Sequence, residues 1–239
     1  MKRECQRWAS ESLKRDMELL VFGHGGARAL VFPTALGRFY DWEDHGLVGV
    51  LRDLLERGWL QLFCVDSIDG ESWYAKDKPA AERARRHEEY DAYLLTEVLP
   101  FTLKRNSNPF LIVVGADFGG YHALNFGLRH PEVVNRILSM SGLCDLHCFA
   151  DGQQDANLYF NNPCAFVPGE QEPSRLEALR EQDIILAVGR NDPVRGTNEQ
   201  LSQILWSKDV WHALRIWDGV AHDWPAWERM LRLYIGGHD

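Results

Sequence analysis

Short apolar runs alternate with longer stretches of helical period along most of this chain. The runs that predict strands lie at 18–22, 29–32, 60–65, 110–114, 134–140, 184–188 and 213–217. The patterns that predict helices lie at 47–57, 80–99, 121–128, 198–207 and 224–234. Such alternation is typical of a mostly parallel sheet with helices on both faces, so the predicted class is α/β.

Turn residues and loss of periodicity suggest the remaining organisation. His24-Gly25-Gly26 separates the first two predicted strands and predicts a hairpin turn, and Pro100 is expected to end the helix over 80–99. Residues 141–172 show no clean period and are rich in Asn, Asp, Gly and Pro, which predicts a cap or substrate wall. This excursion lies within a single predicted domain spanning residues 1–239.

Composition and charge limit the classes of molecule that this protein is expected to bind. The formal net charge of −9 argues against nucleic acid, because binding phosphates requires a basic face. No apolar run approaches the roughly 18 residues of a membrane span, and no signal peptide is evident. The five irregularly spaced cysteines favour free thiols and a cytoplasmic location. The expected partner is therefore a small-molecule substrate, with a homo-oligomer left open.

One turn carries the strongest chemical signal. Residues 115–120, here named the elbow turn, read Gly-Ala-Asp-Phe-Gly-Gly between a predicted strand and a predicted helix. The spacing matches a G-x-S-x-G nucleophile elbow, in which a strained turn exposes a serine above a helix N-terminus. Asp117 stands where that serine would be. The glycines remain, and a carboxylate replaces the hydroxyl.

Two further polar residues follow the last predicted strands. Asp192 follows the strand at 184–188, and His222 follows the strand at 213–217. Sites in open α/β sheets form at the carboxyl ends of strands, so both residues are expected near Asp117. Their order along the chain matches the nucleophile, acid and histidine of α/β-hydrolases. Asp218 is a rival for the acid, because it also ends a strand.

These stretches resemble the "Putative esterase" branch of the α/β-hydrolase superfamily, which includes esterase D-like and polyester depolymerase-like proteins. The matching segments span roughly 18–235 and are Phe32-Pro33-Thr34, Gly37-Arg38-Phe39-Tyr40, 115–123, Arg129-His130-Pro131, Ser139-Met140-Ser141-Gly142, 189–193 and Ala221-His222-Asp223-Trp224-Pro225. The resemblance implies an α/β-hydrolase fold with a small cap insertion. The chain departs from that family at Asp117, where the family carries serine.

The resemblance also implies roles at matching positions. Asp192 would orient His222 as the general base, and the oxyanion hole would be formed by backbone N–H groups of Phe118, Thr34 and Ala35. The predicted pocket candidates are Tyr40, Tyr159, Trp224 and His122. We expect no cofactor and no metal, since Cys144, His147 and Cys148 have no fourth ligand at a fixed spacing.

An aspartate at this position leaves two functions open. An ionised carboxylate needs no base to attack the carbon of a haloalkane or an epoxide, and His222 would then activate water against the resulting ester. Attack on a small carboxylic ester would instead give a mixed anhydride, which is less natural. Alternatively, two carboxylates beside His222 raise its pKa, so that the histidine is not a base at neutral pH. That favours an inactive member, natural or altered from an esterase, which binds ligand in the same pocket.

Overall fold

A computed structural model describes residues 1–237, and its centre is a twisted sheet. Its eight strands within that range are β1 (Arg3–Ser10), β2 (Arg15–Phe22), β3 (Ala27–Phe32), β4 (Leu60–Val65), β5 (Leu111–Ala116), β6 (Arg136–Met140), β7 (Asp183–Gly189) and β8 (Ala213–Trp217). They lie in the order β1-β2-β4-β3-β5-β6-β7-β8. β1 and β4 each pair antiparallel with β2, and every later pair is parallel. The predicted mostly parallel α/β sheet is confirmed.

The predicted hairpin at residues 24–26 is wrong. β2 and β3 are not neighbours, because β4 lies between them and pairs with both: Leu20 lies opposite Cys64, and Ala29 lies opposite Leu62. Both strands are buried on two faces, so each gains more from pairing with the fully buried β4 than from pairing with the other. No strand was predicted at the position of β1. Its side chains alternate between exposed and half-buried, because β1 lies at the edge of the sheet.

Helices cover both faces of the sheet. They are α1 (Asp41–Asp44), α2 (Leu47–Val50), α3 (Arg52–Glu56), α4 (Ala80–Tyr93), α5 (Leu99–Arg105), α6 (Phe118–Arg129), α7 (Ala156–Phe160), α8 (Pro163–Gly169), α9 (Pro173–Glu181), α10 (Arg195–Ser207) and α11 (Trp224–Tyr234). The helix predicted over 47–57 is interrupted at Leu51. None of these helices is both long and apolar enough to cross a bilayer.

Pro100 does not end the long helix as predicted. α4 runs into a π-helical turn at Leu94–Val98, and that turn leads directly into α5, whose first turn contains Pro100. A proline is tolerated in a first helical turn because its missing N–H is not needed there. The wider π turn resets the hydrogen-bonding pattern just before the proline, which lets the helix continue.

Alternate residues of the central strands form two separate cores. One face, with Leu30 and Val113, packs under α4, α5, α6 and α10. The other face, with Val31 and Val114, packs against α1, α2, α3 and α11. Each strand of the interior is therefore buried on both sides, as expected for parallel strands. This double burial fixes the register that brings the strand ends to one edge.

The segment 141–172 is more ordered than its sequence suggests. It contains a short 3-10 turn at His147–Phe149 followed by α7 and α8. The buried guanidinium of Arg83 forms an ion pair with Asp151, and the Tyr121 hydroxyl donates to the Asn161 carbonyl. Leu146 and Leu158 pack in one apolar cluster with Phe118, the residue after Asp117. The segment thus lies against the elbow turn, and its role as a cap stays a prediction.

Replacing a glycine in the elbow turn should destabilise the fold for steric reasons. A Cβ on Gly119 would lie 2.3 Å from the Pro33 carbonyl oxygen, whereas a Cβ on Gly49 would meet nothing within 4 Å. We expect Gly119→Ala to lower the free energy of unfolding by about 1–3 kcal/mol, because rigid backbone must move. Gly49→Ala, the matched control in α2, should be neutral or stabilising by up to about 1 kcal/mol. Urea denaturation of both variants measures this, and equal effects would contradict it.

Candidate active site

The elbow turn holds Asp117 in a strained conformation between β5 and α6. Its backbone has φ 54° and ψ −127°, a region that non-glycine residues rarely adopt. The close approach of Gly119 to the Pro33 carbonyl lets the turn reach the end of β3. The strain therefore presents the Asp117 side chain at the carboxyl edge of the sheet, half-buried and open to a ligand.

The structure brings Asp117, His222 and Asp192 together in one chain of polar contacts. His222 Nε2 lies 3.3 Å from Asp117 Oδ1, while His222 Nδ1 lies 3.1 and 3.0 Å from the two oxygens of Asp192. The Asp192 side chain is fully buried, and the side chains of His222 and Asp117 are 25% and 31% exposed. The rival acid Asp218 is almost fully exposed and faces Arg190 instead.

The loop that carries His222 is anchored by two residues that sequence reasoning did not select. Ala221 has a positive φ of 49°, and its carbonyl accepts a hydrogen bond from the Ser141 hydroxyl. The indole of Trp227 donates to Ser141 and packs edge-on against the His222 ring. Ser141 lies in one of the segments that carry the family resemblance, and that match could have pointed to it. These contacts fix the imidazole between its two carboxylates.

The second oxygen of Asp117 is held by a backbone N–H group. Asp117 Oδ2 accepts a hydrogen bond of 2.9 Å from the Ala35 N–H. Thr34, also expected at this position, instead donates both its N–H and its hydroxyl to Asp41. The site that the resemblance assigns to an oxyanion is thus filled by one oxygen of the Asp117 carboxylate.

Hydrogen bonds determine the ionisation of the site. Burial alone would raise the pKa of Asp117, but the hydrogen bonds from His222 and from the N–H groups of Ala35 and Phe118 outweigh it, so this pKa lies below its ordinary value. The hydrogen bonds to Asp117 and Asp192 raise the pKa of His222 to about 9, against the opposing effect of burial. At neutral pH the resting site is therefore an imidazolium between two carboxylates.

The four predicted pocket residues lie at different distances from this chain of contacts. Trp224 stacks on His45 and packs against Trp227, which in turn packs against His222. Tyr40 packs edge-on against Phe39 and is substantially exposed. Tyr159 lines a cavity of about 550 Å³ within the segment 141–172, and the lining includes none of the three polar residues described above. His122 is only 2% exposed, so it is a buried residue and does not line a surface open to ligand.

An aromatic wall stands beside Asp117. Tyr74 packs edge-on against Phe118 at 5.1 Å between ring centroids, and both rings contact Phe149. Burial, with the nearby charges of Asp117 and Asp69, raises the pKa of the Tyr74 phenol, which keeps it protonated. Sequence reasoning missed Tyr74, because it lies in a polar stretch far along the chain from the elbow turn.

Within residues 1–237, no group of three or more His, Cys, Asp or Glu side chains is arranged to hold a metal ion.

The raised pKa of His222 should be directly visible. We expect its ring to titrate near pH 9, and Asp117→Asn to lower that pKa because one of its two carboxylates is removed. Protonated His222 stabilises the fold, so this contribution is complete below about pH 6.5 and is lost as the pH rises through about 9. The loss should be on the order of 2 kcal/mol. NMR titration of the histidine rings and unfolding at several pH values measure both effects.

His212 is an internal control in the same spectra. It is buried and bound to Ser202, and burial lowers its pKa below the ordinary value. Asp117→Asn should leave the His212 titration unchanged. A His222 ring that titrates near 6.5 in the unaltered protein would contradict the ion-paired site.

Comparisons with known proteins agree with this architecture. Among the solved structures that resemble it, a ferulic acid esterase matches with TM-score 0.76 and 19% identity over 96% of this chain and 94% of its own. S-formylglutathione hydrolase from Staphylococcus aureus matches with TM-score 0.70 and 14% identity over 97% and 96%. Enterobactin esterase from Shigella flexneri matches with TM-score 0.64 and 23% identity over 97% of this chain and 57% of its own.

These similarities support the α/β-hydrolase fold, as predicted. No curated protein matches the sequence. The family model described as "Putative esterase" matches residues 36–232, which is most of the chain. On that match, this chain is a member of the Putative esterase family, with an esterase-type hydrolase scaffold.

Proposed function

We propose that this protein is a hydrolase that forms a covalent ester on Asp117 with small electrophilic substrates, namely haloalkanes or epoxides. In this proposal Asp117 is the nucleophile, His222 is the base of the second step, and Asp192 orients His222. The observation that carries the proposal is the different surroundings of the two Asp117 oxygens. Oδ2 accepts a hydrogen bond from the Ala35 N–H, whereas Oδ1 faces His222 Nε2.

This division of the carboxylate suits a two-step reaction. If Oδ1 attacks carbon, Oδ2 becomes the carbonyl oxygen of the new ester, and it already lies against the Ala35 N–H. Attack of water on that ester would place negative charge on Oδ2, where the preorganised Ala35 N–H stabilises it. No rearrangement of the carboxylate is needed between the steps. If Asp117 served only as a hydrogen-bond partner of His222, its second oxygen would not need a backbone N–H donor.

The first step also changes the base that the second step needs. In the resting site, two carboxylates hold His222 protonated. Conversion of Asp117 to a neutral ester removes one of them, so the pKa of His222 falls when the intermediate forms. His222 can then lose its proton and deprotonate water, with Asp192 still bound to Nδ1. The electrostatic obstacle foreseen from the sequence thus applies to the resting site only.

The bonds balance in two displacements. Asp117 Oδ1 forms a C–O bond as the carbon–halogen or epoxide C–O bond breaks, and the leaving group departs with the electron pair. Water then adds to Asp117 Cγ, the Cγ–Oδ1 bond breaks, and the alcohol product leaves with Oδ1. The carboxylate is regenerated with one oxygen from water. Hydrolysis of a haloalkane releases one proton together with the halide. Hydrolysis of an epoxide releases none, because the alkoxide formed by ring opening takes up the proton that water loses.

The second candidate function is a ligand-binding member without turnover. The observation that favours it is that both nitrogens of His222 face carboxylates, which stabilises the resting ion pair. If the ester never forms, the ion pair persists and the site only binds a ligand. The solved relatives are named as esterases and a hydrolase, which supports a hydrolase scaffold but not a particular substrate.

Isotope labelling tests the covalent mechanism. We expect the protein to convert 1-bromobutane or styrene oxide to the alcohol, and a single turnover in H₂¹⁸O to place ¹⁸O in the peptide that contains Asp117. His222→Gln should accumulate an alkylated Asp117, because the second step lacks its base. Asp117→Asn should lower turnover by at least about 10³-fold. Mass spectrometry and alcohol release measure these effects.

The outcomes separate the two candidates. Turnover with ¹⁸O only in the product would contradict the nucleophile role of Asp117. No alkylation, together with a rise in thermal stability on adding substrate analogues, would support the binding member instead.

Asp117→Ser provides a separate prediction on the same scaffold. A serine there would be bound by His222 and would free the Ala35 N–H for a substrate carbonyl. We expect this variant to hydrolyse p-nitrophenyl acetate at least about 10²-fold faster than Asp117→Asn, its matched control. Equal rates would contradict an intact hydrolase scaffold.

A further inference from the structure

We infer that a second, buried carboxylate–histidine pair, Asp69 and His122, positions the backbone donor of the active site. The inference concerns residues 33–37, here named the donor loop, which join the end of β3 to the region of α1. Ala35 in this loop donates to Asp117 Oδ2. Asp69 and His122 are positioning residues in this view, because they act through that loop and not on a substrate.

The pair is compact and almost fully excluded from water. His122 Nε2 lies 2.8 Å from Asp69 Oδ1, and their side chains are 2% and 0% exposed. The other oxygen, Asp69 Oδ2, accepts the N–H of Leu36 at 3.1 Å. One carboxylate therefore connects a histidine of α6 to the donor loop, next to the residue whose N–H reaches Asp117.

The ring of His122 extends this connection to both sides of the site. It stacks on Phe32, which precedes the donor loop, at 5.8 Å between centroids. It also packs edge-on against Phe118, which follows Asp117, at 5.1 Å. His122 thus contacts one side chain from each of the two segments that meet at Asp117 Oδ2.

The donor loop needs a stabilising contact such as the hydrogen bond to Asp69, because its backbone is strained. Leu36 has a φ of 58°, which is unfavourable for a residue with a branched side chain. The Leu36 side chain is 56% exposed, so burial of that side chain does not explain the conformation. The hydrogen bond to Asp69 holds the Leu36 N–H away from the site, while the Ala35 N–H points to Asp117. The strained turn therefore separates the two donors.

Amide hydrogen exchange tests the inference without any assumption about activity. In Asp69→Ala, we expect the Ala35 and Leu36 amides to exchange at least about tenfold faster, since the donor loop loses its anchor. Asp69→Asn should stay within about threefold of the original rates, because its amide can still accept from Leu36 and donate to His122. His122→Asn should give faster exchange at the same two amides. Residue-resolved NMR measures these rates.

His212→Asn is the matched control. His212 is also buried and also has a polar side-chain partner, Ser202, at 2.7 Å. The His212→Asn variant should lower global stability without selectively speeding amide exchange at Ala35 and Leu36. The inference is overturned if Asp69→Ala or His122→Asn changes these amides only as much as His212→Asn does. If Asp69→Ala does not fold, His122→Asn and Asp69→Asn decide the question by the same comparison.

A rate measurement adds a readout that rests on the proposed function. If Asp117 forms an ester, Asp69→Ala should lower kcat by about tenfold or more with little change in KM, because the donor loop acts on the charge that develops at Oδ2. Asp69→Asn should restore most of kcat. An unchanged kcat in Asp69→Ala, in a protein that does turn over, would contradict the inference. Absence of turnover in the unaltered protein would count against the proposed function alone, since the exchange result stands by itself.

Discussion

Two carboxylates share one imidazole at the carboxyl edge of the sheet, and the chemistry of the site depends on that charge balance. Asp192 is fully buried, so it is stabilised by its contacts with His222 and by the N–H of Val194. Asp117 is more open and is stabilised from its far side by the Ala35 N–H. Because the imidazole stands between them, any reaction that neutralises one carboxylate changes the proton affinity of the histidine. A serine in the same position would not couple the two events in this way.

Close packing of backbone around the elbow turn makes this arrangement possible. Gly119 lies against the Pro33 carbonyl, and a Cβ on Gly189 would lie 1.8 Å from the Val220 carbonyl. The first contact joins the turn to the donor loop, and the second joins the loops that carry Asp192 and His222. Side chains at either position would separate segments that must be within hydrogen-bond reach. Small residues here therefore serve the geometry of the site directly.

The elements that were predicted well are those whose pattern is local. The strands at 60–65 and 213–217 and the helix at 224–234 have the predicted bounds, since a buried strand or an amphipathic helix is recorded in neighbouring residues. The failures concern partners distant in sequence. Whether β2 pairs with β3 or with β4 depends on which surfaces bury each other, and the place of β1 depends on its pairing with β2. The continuation past Pro100 likewise depends on a π turn that has no simple sequence signature.

The sequence by itself determined the α/β class, the elbow turn and the presence of an acid and a histidine at later strand ends, because each rests on a short local pattern. Only the tertiary structure decided that Asp117 Oδ2 faces the Ala35 N–H, that Thr34 is bound to Asp41, and that Tyr74 stands beside Phe118. It also decided that His122 is paired with Asp69 in the buried interior. These contacts join residues from separate loops, and their distances follow from the packing of the whole sheet, which no local pattern encodes.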